Sequence, residues 1–370
     1  MKRLILSCMA MFLIGLTVLT GGCSDDSSEQ VLTGQAGWIA GSPVDGYGTI
    51  LHTKDGGNTW VRQGTQEMIP DVQFSDVTAV DNMNVWVVGS NSSGYATILR
   101  TKDGGETWIR QGSASTIPDM ELSGVSAVDG EVAWVAGFNG VVLNTIDGGD
   151  TWVQQAQGLL PDAQFQSLSA HDRNNVWAVG SVDNNTTACI IHTTDGGKTW
   201  VREGEDDIPP DPQYQSLIDV HATHKSTAWA VGSKGSVFIT TDGGATWVNK
   251  SWTDERACCG SGLTDYNGVC AVNDLIAWKA IDPTEVCLTT DGGDSWNKQE
   301  IPISYASGYE CYGVTAMDEN TAWVVGGNPW GDPGLILHTT DGGKTPWQEQ
   351  INPVNSNFQR RVSFVGDLRK

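Results

Sequence analysis

Thr53-Lys-Asp-Gly-Gly-Asn-Thr-Trp60 is the stretch that decides the fold, because the chain carries seven copies of it with small changes. The aspartates of the copies follow one another at intervals of 44 to 50 residues. They are Asp55, Asp103, Asp147, Asp195, Asp242, Asp291 and Asp341, and the last copy inserts Pro346 before its tryptophan. A fixed period in this range indicates one supersecondary unit repeated as a solenoid or a propeller.

A second phrase precedes each copy and joins a small or apolar residue, tryptophan, two further small or apolar residues and glycine. It occurs first at Gly37–Gly41 and again at Val85–Gly89, and the sixth occurrence is the degenerate A-W-K-A-I of Ala277–Ile281. Fourteen of the 16 tryptophans belong to these two phrases. Both phrases are therefore parts of one repeated structural unit.

The second unit shows the local structure, with short runs of β-branched and aromatic residues separated by Gly, Asn, Asp and Ser. We predict its four strands at Val77–Val80, Val85–Val88, Thr97–Thr101 and Thr107–Arg110. The Asp-Gly-Gly step lies between the third and fourth strands, where a tight hairpin needs positive φ angles. The aspartate can accept backbone N–H bonds inside that turn. No helical periodicity follows residue 22.

Seven four-stranded units predict an all-β, seven-bladed β-propeller, a fold with about 4–8 blades. The tail Val362–Gly366 resembles a first strand such as Val125–Asp129, whereas the first unit begins at its second-strand phrase. We therefore predict that the C-terminal strand joins the N-terminal blade. Closing the ring in this way leaves no large sheet edge exposed.

The Asp-Gly-Gly-x-Thr-Trp phrase resembles the Asp-box, also called the bacterial neuraminidase repeat. Together with the Trp-x-x-Gly phrase, it is most similar to the photosystem II assembly and stability factor family and its non-photosynthetic relatives. Sialidases, xyloglucan-type glycoside hydrolases and sortilin-type receptors also carry Asp-boxes. The resemblance covers about residues 35–370 and implies a seven-bladed propeller. It leaves the function open, because the same fold serves many functions.

The N-terminus predicts secretion and lipidation. Residues 1–22 combine a basic start with an apolar core, which is typical of a signal peptide. The small residues before Cys23 resemble a lipoprotein signal peptidase site, so we expect Cys23 to be acylated and Ser24 to favour the outer membrane, on its periplasmic or surface face. Residues 23–34 read as a flexible tether, and residues 35–370 as the propeller.

The charge balance excludes one class of partner. With 21 basic and 44 acidic residues, the net charge is −23, whereas phosphate binding needs a basic footprint. We therefore expect no nucleic-acid partner, and membrane contact through the lipid anchor alone. We find no calcium loop or zinc spacing, and we expect neither a metal nor a cofactor.

Six cysteines remain once Cys8 leaves with the signal and Cys23 is acylated, and five of these six lie between residues 258 and 311. An even number of cysteines in an oxidising compartment permits disulfides. We expect at least one bond among four candidates, which are Cys258, Cys259, Cys270 and Cys311. Cys189 and Cys287 fall in third strands of non-adjacent blades, and we expect them to be buried thiols.

Candidate binding residues concentrate in the loops that join consecutive blades. Four of these loops contain a Pro-Asp step, which supplies Asp71, Asp119, Asp162 and Asp211. Such a step can simply fix a turn. Alternatively, the four carboxylates and three nearby aromatic residues surround the mouth of the central channel; the aromatic residues are Phe74, Phe165 and Tyr214. Trp252 and Trp330 lie outside the repeat phrases on the same face and can anchor a partner or stack on a ligand.

The histidines do not suggest a shared site. His52, His192 and His338 occupy one third-strand position in the first, fourth and seventh blades, so they are far apart. A second group lies near the first-to-second strand turns on the Asp-box face, where we expect solvation; it comprises His171, His221 and His224.

The preferred hypothesis is a non-catalytic, lipid-anchored extracytoplasmic interaction or assembly module that presents its long-loop face to a protein partner. The alternative is a glycoside hydrolase or polysaccharide-binding propeller that uses Trp252, Trp330 and the loop acids. The sialidase signature Phe/Tyr-Arg-Ile-Pro is absent from the sequence, and enzymatic activity is the less favoured of the two. A third possibility is an envelope spacer.

Overall fold

The computed structural model describes residues 35–208, 216–251, 265–281, 285–302, 309–328, 334–354 and 359–366. These residues form seven four-stranded antiparallel sheets. Cys23, the signal segment and the tether lie outside them. Among the described residues, no helix is long and apolar enough to cross a bilayer.

The strands are numbered in chain order and the blades I to VII. Blade I contains β1 (Gly37–Val44), β2 (Tyr47–Thr53), β3 (Val61–Arg62) and the C-terminal β28 (Gln359–Phe364). Blade II contains β4 (Phe74–Ala79), β5 (Val85–Ser92), β6 (Tyr95–Thr101) and β7 (Ile109–Arg110). Blade III contains β8 (Leu122–Ala127), β9 (Ala133–Gly137), β10 (Val142–Thr145) and β11 (Val153–Gln155). Blade IV contains β12 (Gln164–Ala170), β13 (Val176–Val182), β14 (Thr187–Thr193) and β15 (Val201–Glu203).

Blade V contains β16 (Leu217–His224), β17 (Thr227–Gly232), β18 (Val237–Thr240) and β19 (Val248–Asn249), with a short 3-10 turn at Ser233–Gly235. Blade VI contains β20 (Tyr266–Ala271), β21 (Ala277–Ile281), β22 (Glu285–Thr289) and β23 (Asn297–Lys298). Blade VII contains β24 (Glu310–Ala316), β25 (Ala322–Gly327), β26 (Leu335–Thr339) and β27 (Gln348–Glu349). The first strands of consecutive blades contact one another around the whole ring, including β24 with β28 and β28 with β4. The predicted seven-bladed propeller and its closure by the C-terminal strand are therefore confirmed.

Each Asp-box is a self-contained turn. In the first box, Asp55 Oδ1 accepts hydrogen bonds from the Thr53 hydroxyl at 2.7 Å and the Thr59 N–H at 2.8 Å, and Oδ2 accepts from the Thr59 hydroxyl at 2.7 Å. The Thr59 hydroxyl and N–H are occupied by this carboxylate, so the fourth strand begins after the box tryptophan. The predicted start of that strand at Thr107 in blade II is wrong for the same reason.

These hydrogen bonds favour the ionised carboxylate. Bonds from the Thr151 hydroxyl, the Thr151 N–H and the Thr145 hydroxyl lower the pKa of Asp147 to about 2. The pKa is lowered in the other six boxes as well. The Asp-box aspartates thus bind their own turns, which is the structural role that the sequence predicts for them.

The second glycine of each box also joins two blades. Gly57 has a φ of +92°, and a Cβ atom there would lie 2.1 Å from Oε1 of Gln350, which follows the fourth strand of blade VII. The same contact recurs between the other neighbouring blades, at Gly105–Gln63, Gly149–Gln111, Gly197–Gln155, Gly244–Glu203, Gly293–Lys250 and Gly343–Gln299. Glycine is therefore required at this position for two reasons. It tolerates the positive φ angle, and it has no side chain that would clash with the neighbouring blade.

Aromatic rings fill the spaces between blades. A second-strand tryptophan meets the box tryptophan of the next blade edge to face in four places, for example Trp86 with Trp152 at 5.8 Å between ring centres. At the closure, Phe364 stacks on Trp323 at 3.8 Å and meets Trp60 edge to face at 5.9 Å. The terminal strand is thus wedged between blades VII and I.

We expect Phe364→Ala to lower the free energy of unfolding by about 3–5 kcal/mol, the usual loss for a fully buried phenylalanine. Phe364 is 0% exposed, and deletion of residues 360–370 should be more damaging still. Denaturant unfolding measures the effect. Ile351→Ala, at a side chain 82% exposed, is the control and should change stability by less than about 0.5 kcal/mol. A truncated chain with an unchanged melting temperature would contradict the proposed closure.

Candidate functional site

The two ends of the propeller differ in character. Because the strands of a blade are antiparallel, the turns after first and third strands lie at one end, which we call the Asp-box face. The connections after second and fourth strands lie at the other end, the long-loop face, which carries Asp71, Asp119 and Asp162. All three side chains are exposed, and Asp119 accepts a hydrogen bond from Asn91 Nδ2 at 2.7 Å.

A cavity of about 250 Å³ lies where the central channel opens on the long-loop face. Every first strand contributes to it through a β-bulge, seen as a register shift such as that between Phe74 and Asp76. The bulge residues of all seven blades line the cavity: Ser75, Ser123, Gln166, Ile218, Asn267, Tyr312 and Arg360. We call them the bulge ring. A bulge re-aims a side chain out of the normal alternation, so each blade supplies one variable residue to a common site.

Arg360 and Tyr312 form the most distinctive part of the bulge ring. The guanidinium carbon of Arg360 lies 4.6 Å from the centre of the Tyr312 ring. With its amide oxygen turned toward Arg360, Gln73 accepts hydrogen bonds from Nε and Nη2 at 3.0 Å. The Tyr312 hydroxyl donates to Glu310. This side of the cavity combines a cation, an aromatic face and hydrogen-bonding groups.

A buried ion cluster closes the channel beneath the bulge ring. Arg361 Nη1 lies 2.9 Å from Asp219 Oδ2, and Arg361 Nε lies 4.0 Å from Asp76 Oδ1. Each of the three residues is less than 10% exposed. The carboxylates also bind the backbone of the following blades, because Asp76 accepts from Val125 N–H and Asp219 from Val269 N–H, both at 2.9 Å. The cluster joins the closing strand to blades II and V, and a polar cavity of about 20 Å³ lies below it.

A hydrogen-bond relay around the channel lies one layer deeper. The residue two positions after Arg361, Ser363, accepts from the Ala79 N–H of the next blade at 3.1 Å. The equivalent side chains of four other blades accept the same bond from the next blade. The bonds run from the Ala170 N–H to Ser126, from Ala222 to Ser169, from Ala271 to His221 and from Ala316 to Cys270. Polar side chains on first strands therefore stabilise the contacts between blades.

The structure places several predicted site residues elsewhere. Phe74 and Phe165 are buried in the hydrophobic cores between blades and are at most 1% exposed, so the prediction that they surround the mouth is wrong. Each precedes a bulge residue, and the alternation of the strand turns it into the core while the bulge residue faces the cavity. Four candidates lie outside the described residues: Asp211, Tyr214, Trp252 and Trp330.

The cysteines also depart from expectation. Cys287 forms part of a disulfide, so the prediction of a buried thiol there is wrong. Cys270 and Cys311 carry thiols, so neither contributes to the disulfide predicted among the four candidates. The Sγ of Cys270 instead takes a place in the hydrogen-bond relay. Cys189 is a buried thiol as predicted, and burial raises its pKa to about 12. Cys258 and Cys259 lie outside the described residues.

The histidines fall into different environments. His52, His192 and His338 stack on the second-strand tryptophans opposite them, at 3.8–4.4 Å between ring centres. Burial lowers the pKa of His52 and His338 to about 4. His221 is 1% exposed, so its predicted solvation is wrong. His224 is exposed and His171 half-buried.

Lys279 is a buried cation that the sequence argument did not single out. It replaces an apolar residue in the degenerate phrase of blade VI. This departure from the repeat is the sequence signal that could have pointed to a buried lysine. Its Nζ lies 4.0 Å from the Tyr266 ring centre and 4.1 Å from that of Trp296. Burial lowers the pKa of Lys279 to about 7, against an opposing effect of the Glu285 carboxylate. Lys279 is only 2% exposed, so the lysine has almost no contact with solvent.

Together these features define an Asp-box propeller with a plugged channel and a polar mouth. The family described as photosynthesis system II assembly factor YCF48 matches residues 119–247 and 278–355, more than half of the sequence. The protein therefore belongs to that family. No curated protein sequence matches the chain.

Solved structures share the fold. YCF48 bound to a D1 peptide has a TM-score of 0.59 and 19% identity, covering 87% of this chain and 92% of that one. YCF48 from Cyanidioschyzon merolae has a TM-score of 0.59 and 17% identity, with 84% and 97% covered. The GH74 xyloglucanase from Xanthomonas campestris also has a TM-score of 0.59, with 12% identity over 90% of this chain and 53% of that one. At these identities the likeness shows the fold alone.

We expect Arg361→Gln to destabilise the protein by about 3–5 kcal/mol, because it leaves two buried carboxylates without their cation. The matched control is Arg360→Gln on the adjacent bulge, where the lost charge faces the cavity and we expect a much smaller effect. Urea unfolding of both variants measures the difference. Equal stability of the two variants would show that the ion cluster does not hold the closing strand.

Lys279 predicts a stability that rises with pH. Its folded pKa of about 7 lies below the ordinary value of 10.5, so the unfolded chain binds the extra proton between these limits and unfolding takes up protons. Lys279→Met should therefore stabilise the protein most near pH 6, and its advantage should shrink as the pH approaches 10. Thermal unfolding across this range tests it, with Lys225→Met at an exposed site as the control. A pH-independent difference would contradict the buried charge.

Proposed function

We propose that this protein is a non-catalytic, lipid-anchored extracytoplasmic interaction or assembly module, whose long-loop face binds a protein partner. Membership of an assembly-factor family supports the class of function. A relative solved with a D1 peptide bound supports recognition of a polypeptide segment. The lipid anchor rests on the sequence around Cys23 alone.

The observation that carries the proposal is the bulge ring. Seven independent positions of one scaffold face a single cavity, so its surface can vary without disturbing the repeat. The cavity volume of about 250 Å³ is below the roughly 300–1,000 Å³ typical of pockets that enclose small ligands. An open polar mouth of this size suits the tip of a protein segment anchored by a few side chains.

The chemistry of the mouth defines how a segment would bind. Arg360 and Tyr312 offer a charged donor and an aromatic surface, both residue types enriched at the energetic centres of protein interfaces. Gln166 and Asn267 add amide groups that match a peptide backbone. The exposed carboxylates of Asp71, Asp119 and Asp162 lie on the same face and would select against acidic partners. The hydrolase alternative gains no specific support from these residues.

We expect Arg360→Ala combined with Tyr312→Ala to abolish capture of the partner from crosslinked cells. The matched control is Glu106→Gln combined with Asp150→Asn, two exposed positions on the Asp-box face, which should capture normally. Melting temperatures confirm that both variants are folded. Identical partners for the two variants, or none for the native chain, would contradict the proposal.

The anchor is tested separately in the same cells. Cys23→Ala should move the protein from the membrane to the soluble fraction and abolish labelling by fatty acid, while the bulge ring still binds its partner. Retention of the variant in the membrane would contradict lipidation. Release of oligosaccharides from plant or bacterial polysaccharides by the purified chain would favour the hydrolase instead.

A further inference from the structure

A pair of histidines on the Asp-box face interrupts the repeat in two adjacent blades. His171 follows β12 of blade IV, and His224 ends β16 of blade V. Their ring centres are 5.5 Å apart and the rings are inclined by 54°. Two imidazoles this close on a turn surface are not required by the propeller, because the other blades place different residues there.

The comparison between blades shows what His224 replaces. The corresponding turn residue in five blades is Asp or Asn, whose side-chain oxygen accepts backbone N–H bonds from the residues that follow. These residues are Asp81, Asp129, Asp172, Asn273 and Asp318. In blade V, Nδ1 of His224 takes this role, with the Ser226 N–H at 3.3 Å and the Ser226 hydroxyl at 2.8 Å.

This substitution determines which nitrogen of His224 is available. Nδ1 is committed to the turn, so Nε2 is the atom left for a ligand from solvent. For His171, Nδ1 is buried without a hydrogen-bond partner, which again leaves Nε2. A contact that holds one ring nitrogen and leaves the other available is characteristic of metal-binding histidines, and Nδ1 of His224 has such a contact with Ser226.

We propose that His171 and His224 bind one divalent transition-metal ion of the class that prefers imidazole, with Zn²⁺ as the probe. With Zn–N bonds of about 2.1 Å, two imidazoles on one tetrahedral ion have ring centres roughly 5–6 Å apart, which the observed 5.5 Å satisfies. The described residues contain no group of three or more His, Cys, Asp and Glu side chains that could hold a metal. The described part of the chain therefore supplies two protein ligands, and water or a partner's side chain completes the coordination.

The surroundings favour a cation. The chain carries a net charge of −23, which raises the local concentration of divalent ions. The Asp172 carboxylate lies beside His171 and is held by the Asn174 and Asn175 N–H groups.

Zn²⁺ titration of the full-length protein, followed by calorimetry and by the imidazole signals in NMR, tests the site. We expect one ion per chain, with shifts confined to His171 and His224. His171→Gln should weaken the affinity for Zn²⁺ by roughly tenfold or more, because even the loss of a residue that only supports a metal ligand costs about that much. His224→Asn should do the same, and it retains the turn because asparagine serves as the acceptor in blade VI.

Lys225→Gln, next to His224 and exposed, is the control and should bind Zn²⁺ normally. Because the chain also contains cysteines, the decisive quantity is the difference between the native protein and the double variant His171→Gln/His224→Asn. An identical Zn²⁺ isotherm for these two proteins would overturn the proposal. Normal binding of Zn²⁺ by a Cys23→Ala variant would exclude the N-terminal cysteine as its source.

Discussion

The pairing of β28 with β1 is the interaction on which the rest of the molecule depends. Six blades are built from consecutive strands, but blade I takes its first strand from the other end of the chain. Until that strand is in place, the inner edges of blades VII, I and II have no continuous neighbour. Its Arg361 belongs to the ion cluster and its Ser363 to the hydrogen-bond relay, so the same strand completes the sheet of blade I and the buried polar contacts of the channel.

Two layers of contacts in each repeat connect the blade to its neighbour. The Asp-box secures the outer hairpin through the aspartate and reaches the neighbouring blade through its second glycine. The first strands secure the inner ring through backbone N–H groups that bind side chains of the preceding blade. Because both layers connect blades in the same direction, the ring accepts variation in each first strand while the contacts between blades persist.

Departures from the repeat carry the functional interpretation. The bulge position changes from serine to glutamine, isoleucine, asparagine, tyrosine and arginine around the ring, whereas the residues before and after it keep structural roles. His224 replaces the aspartate or asparagine of a turn without losing its acceptor function. Lys279 occupies a core position in blade VI, where two aromatic rings accommodate its charge.

The sequence by itself determined the number of blades, the Asp-box turns, the closure by the tail and the family, because each rests on local chemistry repeated at a fixed interval. It also located the long-loop face correctly. It wrongly predicted Phe74 and Phe165 at the mouth, a thiol at Cys287 and a solvated His221. Those outcomes depend on a bulge, a disulfide and a neighbouring blade, which the local sequence does not show. Only the tertiary structure brought together Arg361, Asp76 and Asp219, which are far apart in the chain, and turned one residue of each blade toward a shared cavity. Such contacts arise from seven sheets meeting at an axis, and no single repeat contains the information that specifies them.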